Sequence, residues 1–213
     1  MDIFLESYIM KGKFITFEGS EGCGKSTQSG LLYDYLKGKG YAVVYLREPG
    51  GTKISEKIRM ILLDSKNDSM SVECEMLLYM AARSQVVKEL IKPALSKGKI
   101  IICDRFLDST VAYQGFGLGI DINFIKSVGK FATYGIKPDL TIFLDLPIKK
   151  GLKYRQLTKD RIEKRPLKYH EQVRRGYLRL ARLEPKRIKV VKVNKDKDKT
   201  QSKIRNIIEH YVF

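Results

Sequence analysis

Cysteine is scarce in this chain of 213 residues: Cys23, Cys74 and Cys103 are the whole set. An odd number of widely separated thiols builds no disulfide framework and shows no metal-ligand spacing, so a reducing, cytoplasmic setting is the expectation. No apolar run approaches the roughly 18 residues of a membrane-spanning helix, and no membrane association is expected. The first ten residues carry Asp2 and Glu6 without a basic flank, so they do not read as a secretory signal. Met10, just ahead of the first strand-like run, offers an alternative start. No polar or Pro/Gly-rich linker, repeat or low-complexity tract divides the sequence. One domain over 1–213 is expected, with 43% hydrophobic residues for its core.

Charge is abundant and uneven. Residues 1–145 hold 19 Lys/Arg against 17 Asp/Glu, whereas 146–213 hold 22 against 7, which accounts for most of the net +17. A basic third can serve nucleic acid, a polyanionic small molecule or neither. These charges fall on helix-like segments without the interleaved aromatics of a single-strand binder. The favoured reading is a solvated surface with a few phosphate-binding arginines, with nucleic acid as the minority alternative.

Short β-rich apolar runs at 13–17, 42–46, 99–103, 139–145 and 188–193 alternate with helical patterns near 25–39, 53–64, 71–97, 121–133, 147–157, 167–183 and 200–211. The long third helix has a possible break before Pro93. Strands buried on both faces read as continuous apolar runs, and regular alternation with helices implies right-handed crossovers. The expected fold class is α/β, a doubly wound parallel sheet of about five strands with helices on both faces. Ligands in such sheets bind at the carboxyl ends of the strands.

The first of those ends carries Gly19-Ser20-Glu21-Gly22-Cys23-Gly24-Lys25-Ser26, a complete G-x-x-x-x-G-K-[ST] phosphate loop between a strand and a helix. Its glycines let backbone N–H groups converge on phosphate oxygens, and a helix N-terminus receives them. Lys25 is expected to reach the β/γ-phosphates and Ser26 to ligate Mg²⁺, with Thr27 completing the nucleotide-binding set. Cys23 occupies a variable slot and reads as a bystander thiol rather than a redox switch. The fold is thus of the P-loop NTPase type, binding a nucleoside triphosphate.

At the end of the third strand, Asp104 can hold the water shell of the metal and Arg105 can grip a second phosphate. Alternatively the two pair with each other and cap the next helix. Asp145, ending the fourth strand, reads as the cap of the helix that Pro147 starts. The near-match Asn194-Lys195-Asp196-Lys197 ends on lysine, and no Asp-x-x-Gly follows a strand, which argues against a GTPase switch.

Four further motifs occur in order: Phe17-Glu18-Gly19; Arg47-Glu48-Pro49-Gly50-Gly51-Thr52; Ala81-Ala82-Arg83-Ser84-Gln85; and Asp104-Arg105 with Ser109-Thr110 and Ala112-Tyr113-Gln114-Gly115. Together with the phosphate loop they resemble the thymidylate kinase family from about residue 13 to residue 193. The resemblance implies transfer of the γ-phosphate of ATP to dTMP. It implies that thymine stacks on Tyr79, one helical turn before Arg83, which would donate to thymine O4. It places Ser109 and Thr110 at the base edge, Tyr113 against the sugar C2′, Arg105 on the acceptor phosphate and Glu21 near the acceptor's sugar and phosphate end. Glu48, Pro49 and Gln114 complete the implied acceptor site.

Some members of that family carry a catalytic arginine in the phosphate loop. Here Ser20, Glu21, Gly22 and Cys23 supply none, so the chain resembles the class whose mobile lid provides it. The implied lid is 155–166, with Arg155 and Arg161 as candidate catalytic residues beside Lys25, Asp104 and Arg105. Three stretches depart from the usual pattern: Pro166-Leu167-Lys168-Tyr169, the arginine-poor lid with Lys159, and Phe106-Leu107-Asp108. A homodimer is also implied, with the apolar helix around Met76-Leu77-Leu78-Met80 as a contributor. The rivals are another nucleotide kinase on the same scaffold and a nucleic-acid-dependent ATPase using the basic third.

Overall fold

Five apolar runs of β-branched and aromatic residues form the sheet: β1 (Lys13–Glu18), β2 (Val43–Arg47), β3 (Ile100–Asp104), β4 (Leu140–Asp145) and β5 (Ile188–Lys192). This is a computed structural model, and it describes residues 12–154 and 160–211. The strands are all parallel in the order β2-β3-β1-β4-β5. Alternate side chains go to opposite faces. Ile15, Phe17, Ile100, Ile102 and Ile142 meet Leu32 and Leu36 of α1 (Lys25–Gly38) and Ile204 and Ile208 of α9 (Lys197–Tyr211). Phe14, Ile101 and Cys103 meet Val86, Val87 and Ile91 on the other side. Burial on both faces is why β1, β3 and β4 lack polar alternation, whereas the edge strands β2 and β5 are only partly buried.

The remaining described helices are α2 (Lys53–Leu63), α3 (Val72–Val86), α4 (Lys92–Ser96), α5 (Leu107–Thr110), α6 (Ile122–Ala132), α7 (Ile148–Gly151) and α8 (Leu167–Leu183). Side-chain caps fix three starts: Thr52, Ser71 and Asp121 accept from the N–H groups of Ser55, Cys74 and Phe124. The expected break before Pro93 takes a milder form. The chain stays helical from α3 to α4 through a π-helical turn, Val87–Ile91. Pro93 has no N–H to donate and its ring crowds a regular turn, so the wider turn relieves both.

The segment after β3, for which no helix was expected, is helical throughout: α5 runs into a π-helical turn, Val111–Gly117. Gly115 and Gly117 depress its local propensity, but Gly117 is there for packing. A Cβ on it would stand 2.5 Å from the Tyr169 ring of α8. Asp145 also departs from expectation, since it does not cap α7. Arg174 donates to both its oxygens at 2.7 and 3.0 Å, and a bidentate charged partner outcompetes a lone backbone N–H.

Behind α5, Arg187 donates twice to Asp108 (2.6 and 2.9 Å), once to Thr141 (2.8 Å) and twice to Glu184, through Nε (2.7 Å) and Nη2 (3.1 Å). This guanidinium anchors α5 to β4 and to the end of α8. Replacing Arg187 by methionine leaves Asp108 unpaired in a largely buried place, and a loss of about 3 kcal/mol is expected. Urea denaturation of R187M beside R187M/D108L measures it, with the double variant recovering most of the loss.

Candidate active site

The phosphate loop leaves β1 at Glu18 and enters α1 through Gly24, whose φ of 86° puts the turn in the left-handed region that suits glycine. Gly22 has no alternative at all: its φ is 71°, and a Cβ would collide with the Gly151 carbonyl of α7. Lys25 is buried and folds its ammonium back onto the Ser20 carbonyl at 3.0 Å. The Ser20 hydroxyl is buried with no hydrogen-bond partner among the described residues. Cys23 is a buried free thiol, raised above its ordinary pKa by desolvation, which keeps it protonated.

The end of β3 faces the loop. The Ser26 hydroxyl donates to Asp104 at 2.6 Å. These adjacent hard oxygens at the start of α1 and the end of β3 fit a Mg²⁺ ion that keeps part of its water shell. Asp104 and Arg105 do not pair with each other. Arg105 turns away on a left-handed backbone (φ 75°), its own N–H fixed to the Phe17 carbonyl at 2.9 Å. Its Nη2 donates to Glu21 and to the Tyr113 hydroxyl (3.0 Å); its Nη1 donates to the Gly19 carbonyl (3.0 Å), Ser109 (3.1 Å) and Tyr177 (3.3 Å). The Tyr113 hydroxyl also donates to Glu21 at 2.8 Å.

Beyond Arg105 opens a cleft with about 530 Å³ of empty space, in which Glu21, Glu48, Pro49, Tyr79, Thr110, Tyr113 and Gln114 all take part. Arg83 is fully buried beneath it. Arg83 donates to Glu48 (2.8 Å) and Thr110 (3.0 Å), and its guanidinium rests on the Phe106 ring. Glu48 Oε1 has no partner among the described residues. Ser109 reaches the cleft, but its hydroxyl is turned to Arg105, Glu18 and Tyr177. Gln114 donates to the fully buried Glu75 at 2.8 Å.

Arg161 is not brought to the phosphate loop. It pairs with Glu75 and donates to the Leu62 carbonyl at 3.0 Å, while Arg165 pairs with the same Glu75 and with Tyr169. A buried carboxylate attracts whatever cations flank it, and here these two arginines supply the charge. Arg155, with residues 156–159 of the expected lid, lies outside the described residues.

Sequence reasoning missed Arg59 and Leu63, which line the cleft from α2, and Ile162 opposite them. Their four-residue spacing on one helix was the available signal. It also missed Glu18, buried between Phe106, Ser109 and Tyr177.

The two carboxylates of this region titrate in opposite directions. Burial, with Asp108 nearby, pushes Glu18 up from 4.5 to about 7. Glu21 also feels burial, but Arg105 and Lys25 outweigh it and bring its pKa to about 2. Glu18 therefore binds protons more tightly in the folded state, and its contribution to stability is lost as pH rises from 4.5 towards 7, by about 3 kcal/mol. Glu21 contributes above 4.5 and loses that contribution as pH falls towards 2. Denaturation between pH 5 and 8 should show stability declining with pH, and E18Q should flatten that decline.

A family model described as Thymidylate kinase matches residues 17–204. A thymidylate kinase of Thermoanaerobacter sp. (strain X514) is 45% identical over 95% of this chain and 100% of that protein. One from Geotalea daltonii is 48% identical over 89% of this chain and 93% of its own length. Among solved structures, the thymidylate kinase of Ehrlichia chaffeensis superposes with a TM-score of 0.77 at 34% identity, covering 93% of this chain and 98% of that one.

Proposed function

The chain belongs to the thymidylate kinase family, and from that premise we propose how its own residues carry the reaction. The enzyme transfers the γ-phosphate of ATP to dTMP, giving dTDP and ADP. The observation that supports this division of labour best is Arg105, whose guanidinium touches both the phosphate loop at Gly19 and Glu21 and the cleft wall at Tyr113.

ATP lays its phosphates along the loop, where the Ser20 hydroxyl and the N–H groups at the start of α1 receive them. Lys25 leaves the Ser20 carbonyl and turns its ammonium to the β/γ-phosphates. Ser26 and Asp104 would hold Mg²⁺, which would supply charge neutralisation on the phosphate oxygens when bound. dTMP enters the cleft with thymine over Tyr79 and Arg83 at its O4. Tyr113 closes on C2′ and selects the deoxy sugar. Arg105 exchanges part of its contact with Glu21 for the acceptor phosphate. That phosphate is already nucleophilic at neutral pH, so positioning and charge stabilisation do the catalysis. Arg155 carries the lid's charge in this reading, because Arg161 is committed to Glu75 and the Leu62 carbonyl. Lid closure keeps water from the γ-phosphate.

The same reading takes 1–213 as one kinase domain in a cytoplasmic setting. Its described cysteines are all free thiols, and no described helix is long and apolar enough to cross a membrane. Four arginines of the basic third are spent on internal carboxylates, Glu75, Asp108 and Asp145, rather than offered to a polymer. The enzyme works as a homodimer through the neighbouring helices α3 and α6. Leu77, Phe124, Phe131 and Tyr134 stand exposed there, while Met76 and Met80 point into the core. Phe131→Glu should convert a dimer to a monomer in analytical ultracentrifugation; a wild-type monomer would count against the interface.

ADP formation with dTMP, dUMP, UMP, AMP or thymidine as acceptor tests the reaction. The expected order is dTMP, then dUMP, with UMP negligible. Arg105→Ala should reduce turnover by about 10³ or more while ATP affinity, read by titration calorimetry, stays near wild type. Equal loss of both would contradict the role given to Arg105.

A further inference from the structure

Glu18, the last residue of β1, lies outside both the phosphate loop and the cleft lining, yet its carboxylate is fully buried. Oε1 accepts the Phe106 N–H at 2.8 Å, and Oε2 accepts the Ser109 and Tyr177 hydroxyls at 2.6 and 2.8 Å. Those two hydroxyls also receive Arg105 Nη1 at 3.1 and 3.3 Å. A guanidinium can only donate, and each hydroxyl has one proton. Both hydroxyls therefore accept from Arg105, and the proton of each is left for Glu18 Oε2 or, across a 2.8 Å contact, for the other hydroxyl, so the three side chains form one closed network behind Nη1.

We propose that Glu18 is a positioning residue for Arg105, acting through a two-hydroxyl bridge of Ser109 and Tyr177. The assignment rests on Arg105 holding the acceptor phosphate. The carboxylate controls Arg105 at both ends. It holds the Phe106 N–H, directly after the left-handed Arg105 backbone, and through the hydroxyls it holds the Nη1 corner of the guanidinium. Nη2, facing Glu21 and Tyr113, stays on the ligand side. Glu21 touches Arg105 directly at Nη2 and is the contact that the incoming phosphate exchanges. One hydroxyl removed, Glu18 orients the guanidinium while leaving its strongest donor positions to be exchanged. The bridge is well shielded: Tyr177 is buried and stacked on Phe143 with ring centroids 5.0 Å apart. Bonds inside such a low-dielectric site are strengthened.

The experiment measures kcat and KM for dTMP and for ATP in Tyr177→Phe, Glu18→Gln, the double variant and Arg105→Ala. Expected are losses in kcat/KM for dTMP of about tenfold for Tyr177→Phe and about a hundredfold for Glu18→Gln, with KM for ATP unchanged. The double variant should be no worse than Glu18→Gln alone, because both act on one bridge. Unchanged dTMP kinetics in Tyr177→Phe, or equal losses toward both substrates, would overturn the proposal by showing a general scaffold role. Should Glu18→Gln fail to fold, Tyr177→Phe decides alone, since it removes a single oxygen from a stacked ring. Arg105→Ala keeps the two readings apart. Full turnover in that variant would sink the phosphate role itself, whereas a crippled Arg105→Ala beside normal bridge variants would sink only the bridge.

Discussion

The guanidinium of Arg105 is bonded to the phosphate loop through Gly19 and Glu21, to the helical segment after β3 through Ser109 and Tyr113, and to α8 through Tyr177. Burying such a charge is costly unless it is fully bonded. Much of the local architecture follows from meeting that demand. The left-handed turn at Arg105 aims it back across the loop, the buried Glu18 sits one hydroxyl away, and Glu21 is held ionised at the mouth of the cleft. The phosphate loop and the cleft become one region, because the same side chain stands between them.

The same demand recurs elsewhere. Arg83 pairs with Glu48 beneath the cleft, Arg161 and Arg165 gather on Glu75, and Arg187 spans Asp108 and Glu184. In each pair except Arg187 with Glu184, residues distant in sequence are joined. The lopsided charge seen along the chain is thereby partly cancelled in space, since arginines of the basic third meet carboxylates from the balanced first part. Net charge by segment reports solubility and steering; it carries no information about which charges are neutralised after folding.

The strands, their parallel alternation with helices and the phosphate loop were legible because local physics specifies them. Apolar runs of five or six residues buried on both faces, and glycines at positive φ ahead of a helix N-terminus, leave direct marks in the sequence. The helix from Leu107 to Gly117 left no such mark. Gly115 and Gly117 lower its propensity, and its packing against α8, where Gly117 lets the Tyr169 ring approach, is visible only in the folded chain. Asp145 read as a helix cap for a related reason: a local partner is visible in sequence, whereas Arg174, 29 residues away, is not.

Sequence alone thus determined the sheet-and-helix class and the phosphate loop and, through the family resemblance of its ordered motifs, named many of the residues that line the cleft. The first two depend on spacing within a few residues; the third came from the resemblance. Only the tertiary structure decided which partner each charged side chain takes: that Ser109 serves Arg105 and Glu18, that Arg161 serves Glu75, and that Glu18 stands behind the Asp-Arg turn. Partner choice among buried ions is settled by distance and desolvation, and neither exists until the chain has closed around them.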